Sequence, residues 1–193
     1  MRKLIVSEFM SLDGVIQAPG GKEEDTDGGF QHGGWTIPYW HDDIGAGFGA
    51  IMQETDAFLL GRRTYVTHAE AFEPMPKGDF FGDMMNAPKK YVVSKTLAKP
   101  IWRDTTIIRE DVVEAVRKLK AEPGKNILTD GSSQLVRTLL AHDLVDELHV
   151  LLYPLTLGSG KRIWADGTFA GFTLRAATPY PTGVVALDYQ RKR

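Results

Sequence analysis

The sequence predicts an α/β protein of three layers: a mostly parallel sheet with helices on both faces and an antiparallel C-terminal edge. Three observations carry this. Strand-like and helix-like stretches alternate through the middle of the chain. The run "AFLLG" at 57–61 is nearly all apolar, as strands covered on both faces are. Near the end, "FTLRAATPY" and "GVVALDYQ" face each other across "PTG", the mark of a hairpin.

Taken in order, "KLIVSEFMSLDG" reads as the first strand, with a turn beginning at Asp13 and Gly14. Residues 20–34, "GGKEEDTDGGFQHGG", are glycine-rich and acidic with little that packs, which predicts a mobile surface loop and a candidate lid. "YWHDDIGAGFGAIMQET" is a weak helix, its glycines lowering the propensity. After the strand at 57–61, "RRTYVTHAEAF" reads as helix. A glycine- and proline-containing excursion from Pro74 has a short helix at "DFFGDMMN", and "KKYVVSK" and "TTIIR" are strands. "DVVEAVRKLKAEPG" is the best helix: Asp111 caps it, Glu114 completes a capping box, and Val112, Val113, Val116 and Leu119 form one apolar stripe. A strand at 126–129, a turn through Asp130, Gly131 and Ser132, and a helix with Leu135, Val136, Leu139 and Leu140 on one side repeat the pattern. A long strand begins near Val145.

Composition narrows the function. With 193 residues, 42% hydrophobic and 25% charged, the chain is expected to form one domain over residues 1–193. A net charge of −2 and a pI near 6.2 argue against a nucleic-acid partner. The terminal "RKR" reads as a solubilising tail. The absence of cysteine excludes disulfides, thiolate nucleophiles and cysteine-ligated metals, and fits a reducing compartment. The opening "MRKLIVSEFM" reads as a strand rather than a signal peptide or membrane span, so a cytoplasmic location without membrane partners is expected.

Several motif-like strings fail on context. "GAGFGA" at 45–50 lacks the strand that a dinucleotide turn requires, and "LGSGKR" at 157–162 lacks the first glycine and the hydroxyl of a P-loop. "EEDTDGGFQHGG" has glycine where a calcium loop closes with glutamate. The five histidines form no H-x-x-x-H or H-E-x-x-H pair, so no metal is expected.

Three strand ends carry polar turns of one kind: "GRRT" at 61–64, "SKT" at 94–96 and "DGSSQL" at 130–135. In a doubly wound sheet these ends share the edge where ligands bind. Thr64 and the N–H groups after Gly61 suit a phosphate, Arg62 or Arg63 adds a bidentate contact, and Gly131 lets backbone approach a pyrophosphate beside Ser132 and Ser133. A capped turn explains each cluster alone; a dinucleotide explains all three.

Those residues carry a resemblance. "VSEFMSLDGVI", "LLGRRTY", "YVVSKT", "ILTDGSSQLVRTLL" and "DELHVLLYPLTLGSGKRIW" are similar to the dihydrofolate-reductase-like family, in its branch related to the C-terminal reductase domain of the bacterial riboflavin deaminase-reductase. The resemblance implies an eight-stranded sheet and NADPH as cofactor. By position it implies that Gly61, Arg62, Arg63 and Thr64 hold phosphates. Ser94, Lys95 and Thr96 then lie by the adenosine 2′-phosphate, and Gly131, Ser132, Ser133 and Leu135 cover pyrophosphate and nicotinamide. Ser7, Leu12, Asp13 and Gly14 line the reaction centre. Asp13 is the candidate for orienting substrate or relaying a proton. Trp35, Tyr39 and Trp40 are candidates for stacking on a heterocycle, Asp42 and Asp43 for its acidic contact, and Lys161 and Arg162 for a substrate phosphate. The activity implied is hydride transfer to a small heterocyclic, imine or carbonyl substrate such as a pterin or a ribosylaminopyrimidine; the rival is a module that binds a nucleotide without turnover. A homodimer is expected from the apolar run "LHVLLYPLTL" and from the pairing of related reductase domains.

Overall fold

The computed structural model describes residues 1–192, so the last arginine of the terminal basic cluster lies outside the described residues. Its centre is one eight-stranded sheet in the order β4-β3-β2-β5-β1-β6-β8-β7. The strands are β1 (Leu4–Ser11), β2 (Thr55–Gly61), β3 (Lys89–Val93), β4 (Thr105–Ile108), β5 (Asn126–Asp130), β6 (Glu147–Tyr153), β7 (Phe172–Pro179) and β8 (Val185–Arg191). Strands β1 to β6 pair in parallel, and β8 runs antiparallel to both β6 and β7. The expected parallel sheet with an antiparallel edge is present.

Five helices complete the layers: α1 (Asp42–Gln53), α2 (Arg62–Phe72), α3 (Phe80–Asn86), α4 (Val112–Ala121) and α5 (Ser133–Ala141). Strand alternation decides which face each covers. Leu4, Val6 and Met10 of β1 join the cluster built with Val116 and Leu119 of α4 and with Leu135, Val136, Leu139 and Leu140 of α5. Ile5 points the other way, into the cluster with Met52 of α1, Tyr65 and Ala69 of α2, and Met85 of α3. The stripe read on α4 therefore meets the sheet, and Asp111 accepts from the Glu114 amide at 3.2 Å as a cap should.

The segment at 20–34 departs from expectation. It is not short of packing: Phe30 within it and Trp35 just after it are both 7% exposed and join Val15, Ile44 and Tyr153 in a third cluster. Gln17 donates to the carbonyls of Asp25 and Asp27 at 3.0 and 3.1 Å, and a 3₁₀ turn, Asp27–Gly29, interrupts it, with a second, Ile37–Tyr39, just beyond it. Trp35 and Tyr39 stand edge-on to Tyr153, so these two aromatics belong to the core, whereas Trp40 is half exposed. The long apolar run "LHVLLYPLTL" is explained without a partner molecule, because β6 is an interior strand paired on both sides by β1 and β8. Of the two edge strands, β4 and β7, it is β7 that is exposed along most of its length.

Candidate functional site

Strand order places the site. The chain moves outward from β1 through β2 and β3 to β4, then returns as β5 between β2 and β1. The C-terminal ends of β1, β2 and β5 thus lie side by side where the direction of winding changes, the position at which α/β sheets leave a crevice.

Helices α2 and α5 start at this edge, and they are stitched together. Ser132 Oγ accepts from the Gly61 amide at 2.9 Å, and the Ser132 amide donates to Thr64 Oγ1 at 3.1 Å. Gly131 and Ser132 both have left-handed backbone, φ 52 and 51. A Cβ at Gly131 would stand 3.1 Å from Thr64 Oγ1, so glycine is needed there for space as well as conformation. A serine at an N-cap ordinarily accepts from its own helix. Here its oxygen is turned to the neighbouring helix, and neither α2 nor α5 has a side-chain cap. The other three helices do, through His41, Asp79 and Asp111. The amides of Gly61, Ser132 and Gly131 are taken up by protein side chains, so the two helix N-termini that sit together at the crevice have their uncapped first-turn amides to offer an anion.

Below them lies a group that the sequence reading passed over. Glu8 is 3% exposed on the inward side of β1; its Oε2 accepts from the Gly131 amide at 3.1 Å and its Oε1 has no partner. Burial, then the charge of Asp130, pushes its carboxyl well above the usual range, against the pull of the Gly131 amide. Asp130 Oδ2 bonds His68 Nε2 at 3.0 Å. Burial alone would lower His68, but the charge and hydrogen bond of Asp130, with Glu24, hold it above its ordinary value. The signal for Glu8 was a charged residue at an even, inward position among Leu4, Val6 and Met10. His68 lies one helical turn after Thr64, on the same side of α2.

The other predicted residues fall into two groups. Arg62, Lys95 and Thr96 are exposed at the edge, with Ser7 half-buried in β1 and Ser133 half-buried at the start of α5. Ser94 is buried, and its hydroxyl is engaged by the amides of Thr96 and Leu97 at 3.2 and 2.9 Å, so only its two neighbours offer side chains to a ligand. Leu135 is 7% exposed in the core, which leaves only its backbone for a cofactor. Leu12 is 58% exposed beside Gly14, whose φ of 80 makes the turn after β1.

The second group is held by the protein's own charges. Both Asp13 oxygens are engaged: the Ser11 hydroxyl donates at 2.6 Å, the Leu157 and Gly158 amides at 3.1 and 2.8 Å, and Arg162 at 3.4 Å. What burial it has would raise its pKa, but the Ser11 hydroxyl and the Leu157 and Gly158 amides prevail and hold it at about 2. Asp13, the residue expected to orient the substrate or relay a proton, is thus held as an ionised clamp on the turn after β6. Arg162 also donates to the Asp13 carbonyl at 2.8 Å and is taken up by this clamp rather than by a phosphate. Lys161 pairs with Asp25 and Asp27, and Arg63 pairs with Asp27. Trp40 and Asp42 line a separate cleft of about 450 Å³ between α1 and α3, with Phe80 and Phe81 opposite.

Comparison with known proteins agrees with this fold. The RibD C-terminal domain family matches residues 2–186. The chain is 29% identical over 168 residues to the Bacillus subtilis protein YyaP, covering 86% of this chain and 81% of that one. Among solved structures, a putative riboflavin biosynthesis protein from Shewanella sp. PV-4 superposes with a TM-score of 0.76 at 21% identity over 99% of both chains. A dihydrofolate reductase from Enterococcus faecalis, solved with NADP(H), superposes with a TM-score of 0.64 at 14% identity, covering 99% of this chain and 97% of that one.

Proposed function

The chain belongs to the RibD C-terminal domain family, and from that premise we propose that it is an NADPH-dependent reductase of small heterocyclic, imine or carbonyl compounds. The observation that carries the reading is the pair of uncapped helix N-termini, α2 and α5, stitched by Ser132 at the crevice of the sheet. The starts of α1, α3 and α4 are closed by a side chain; at α5 the serine that would close it is diverted, and at α2 the N-cap is Gly61, which has none. The residues present fit a dinucleotide: the uncapped first-turn amides of α2 and α5 for the pyrophosphate, Gly131 with no side chain at the bend, and exposed Arg62 and Lys95 for a 2′-phosphate.

The cofactor supplies the hydride when bound; the chain's tasks are to bind, orient and exclude water. Gly61, Thr64, Gly131, Ser132 and Ser133 form the binding edge. Asp13 fixes the turn after β6 beside the end of β1 and so shapes the wall of the crevice. The proton that accompanies a hydride has stores at the same edge, on Glu8 and His68, both of which hold protons more tightly than usual. Pterins and ribosylaminopyrimidines are the substrate classes to test first, and the whole chain is read as one domain that pairs as a homodimer.

Titration with NADPH and NADH tests the cofactor assignment: tighter binding of NADPH is expected, and equal affinity or none would remove it. Following NADPH absorbance against dihydropterins, ribosylaminopyrimidines and small carbonyl compounds tests the reaction. Tight binding with no turnover across that panel would favour the non-catalytic nucleotide-binding module.

A further inference from the structure

Two cations distant in sequence meet over one carboxylate oxygen. Arg63 at the start of α2 and Lys161 in the turn after β6 both bind Asp27 Oδ2, the lysine at 2.9 Å. Lys161 also holds Asp25. Asp27 belongs to neither element. It stands on the segment between β1 and α1, in a turn whose next two residues, Gly28 and Gly29, have φ of 66 and 74 and no neighbour within 4 Å of where a Cβ would lie.

The base of this segment is packed, and the glycines at its tip are open. Phe30 and Trp35 are buried, and the buried Gln17 holds the carbonyls of Asp25 and of Asp27 itself, so a ligand that moves Asp27 also breaks the Gln17 bond at 3.1 Å. From that base the tip reaches across to α2, where the ion pair with Arg63 ties it down. Asp27, Arg63 and Lys161 are each partly exposed, with side chains 45%, 59% and 30% accessible. The link is thus one that solvent and a ligand can reach.

Electrostatics makes the arrangement informative. Two like charges converge only where an anion lies between them. A phosphate group brings nearly two negative charges and three acceptor oxygens to the same place, and Arg favours it for its fork of donors. We propose that Arg63 and Lys161 form a phosphate site, that Asp27 is its built-in occupant, and that a phosphate-bearing ligand enters by displacing the tip of this segment. The segment is then a strap that competes with the ligand, not a lid that closes over it. The identity of NADPH as ligand rests on the functional reading above; the site itself rests on the ion pairs.

The full-length protein, Asp27→Asn, Lys161→Gln and the control Glu23→Gln would be titrated with NADPH and with inorganic pyrophosphate at low ionic strength. Tryptic cleavage at the exposed Lys22 would be followed in parallel. Removing the competing carboxylate should tighten binding by roughly two- to fivefold, the scale of an exposed ion pair. Lys161→Gln should weaken binding by a similar factor, and Glu23→Gln should change nothing. Either ligand should speed cleavage at Lys22 in the wild type, and Asp27→Asn should be cleaved quickly from the start. Unchanged or weaker binding in Asp27→Asn, unchanged binding in Lys161→Gln, or slower cleavage with ligand would each overturn the proposal. If the wild type binds pyrophosphate but not NADPH, the cofactor reading fails, and the pyrophosphate affinities of the variants still decide for or against the strap. Absence of saturable binding of either ligand in any form overturns both.

Discussion

Replacing Glu8 by glutamine should stabilise the protein at neutral pH, by an amount that grows with pH. Glu8 is 3% exposed, and one of its carboxyl oxygens has no partner. Its pKa lies well above 4.5, through burial first and the charge of Asp130 second. The folded state therefore keeps a proton that the unfolded chain releases. A carboxyl raised on folding contributes its full stability below the unfolded pKa and loses it as pH climbs toward the folded one. The loss amounts to one proton, or ~1.4 kcal/mol per pH unit across that window, and then levels off. Glutamine has nearly the same shape, presents a carbonyl to the Gly131 amide and does not ionise. Charges common to both proteins largely cancel in the difference. Urea denaturation of the pair from about pH 5 to pH 8 gives that difference directly. It should be small at the acid end, where the glutamine amide also lacks a buried acceptor, and widen with the stated slope. A difference that does not vary with pH would refute the reasoning, since it would mean that Glu8 ionises alike in both states.

Asp13 carries the opposite sign: with its folded pKa held at about 2, it contributes stability above the unfolded value of 3.8 and loses it as pH falls through the folded one. Asp13→Asn should unfold more readily at neutral pH yet retain NADPH oxidation, and abolished turnover in a folded variant would restore Asp13 to the mechanism. Gly131→Ala adds a methyl group at φ 52, 3.1 Å from Thr64 Oγ1, and should cost about 1–3 kcal/mol in thermal denaturation while weakening nucleotide binding in titration. Tyr153→Phe removes a buried hydroxyl that has no partner, so stability should hold or rise by up to about 1 kcal/mol, and the tyrosine that titrates at about 12 should vanish from the ultraviolet pH titration. Light scattering should find a homodimer, and Leu174→Lys on the exposed edge strand β7 should yield monomers if that edge is the contact.

The elements of the fold were legible because their signals are local. Apolar alternation, the cap at Asp111 and the turn chemistry at "PTG" each act within a few residues, and β1 to β8 and α1 to α5 lie where these signals put them. Strand order was not legible from the residues alone, since the return of β5 between β1 and β2 is decided by burial across the whole sheet. The segment at 20–34 misled for a related reason. Its glycines and carboxylates dominate the local composition, while the two groups that anchor it, Phe30 and Trp35, find their partners in Val15, Ile44 and Tyr153.

The candidate site divides along the same line. Residues whose contribution is backbone or conformation, Gly61, Gly131 and Ser132, stand where their turn chemistry placed them. Residues assigned for charge divide. A cation in a sequence predicts that an anion will face it, but not whose. Of five cations assigned to ligands, Arg63, Lys161 and Arg162 are paired with Asp27, Asp25 and Asp13 of the chain itself, which leaves Arg62 and Lys95 exposed at the edge. The link between Ser132 and Gly61 spans 71 residues, and that between Lys161 and Asp27 spans 134. Contacts at such separation leave no trace in local pattern. On the proposed reading, preference for a 2′-phosphate draws on Arg62 and Lys95, or on cations that the chain must first release from its own carboxylates. The second route links cofactor selectivity to movement of the strap. In that case Asp27→Asn should change affinity for NADPH more than for NADH, whereas a site served by Arg62 and Lys95 alone would leave the ratio of the two affinities unchanged.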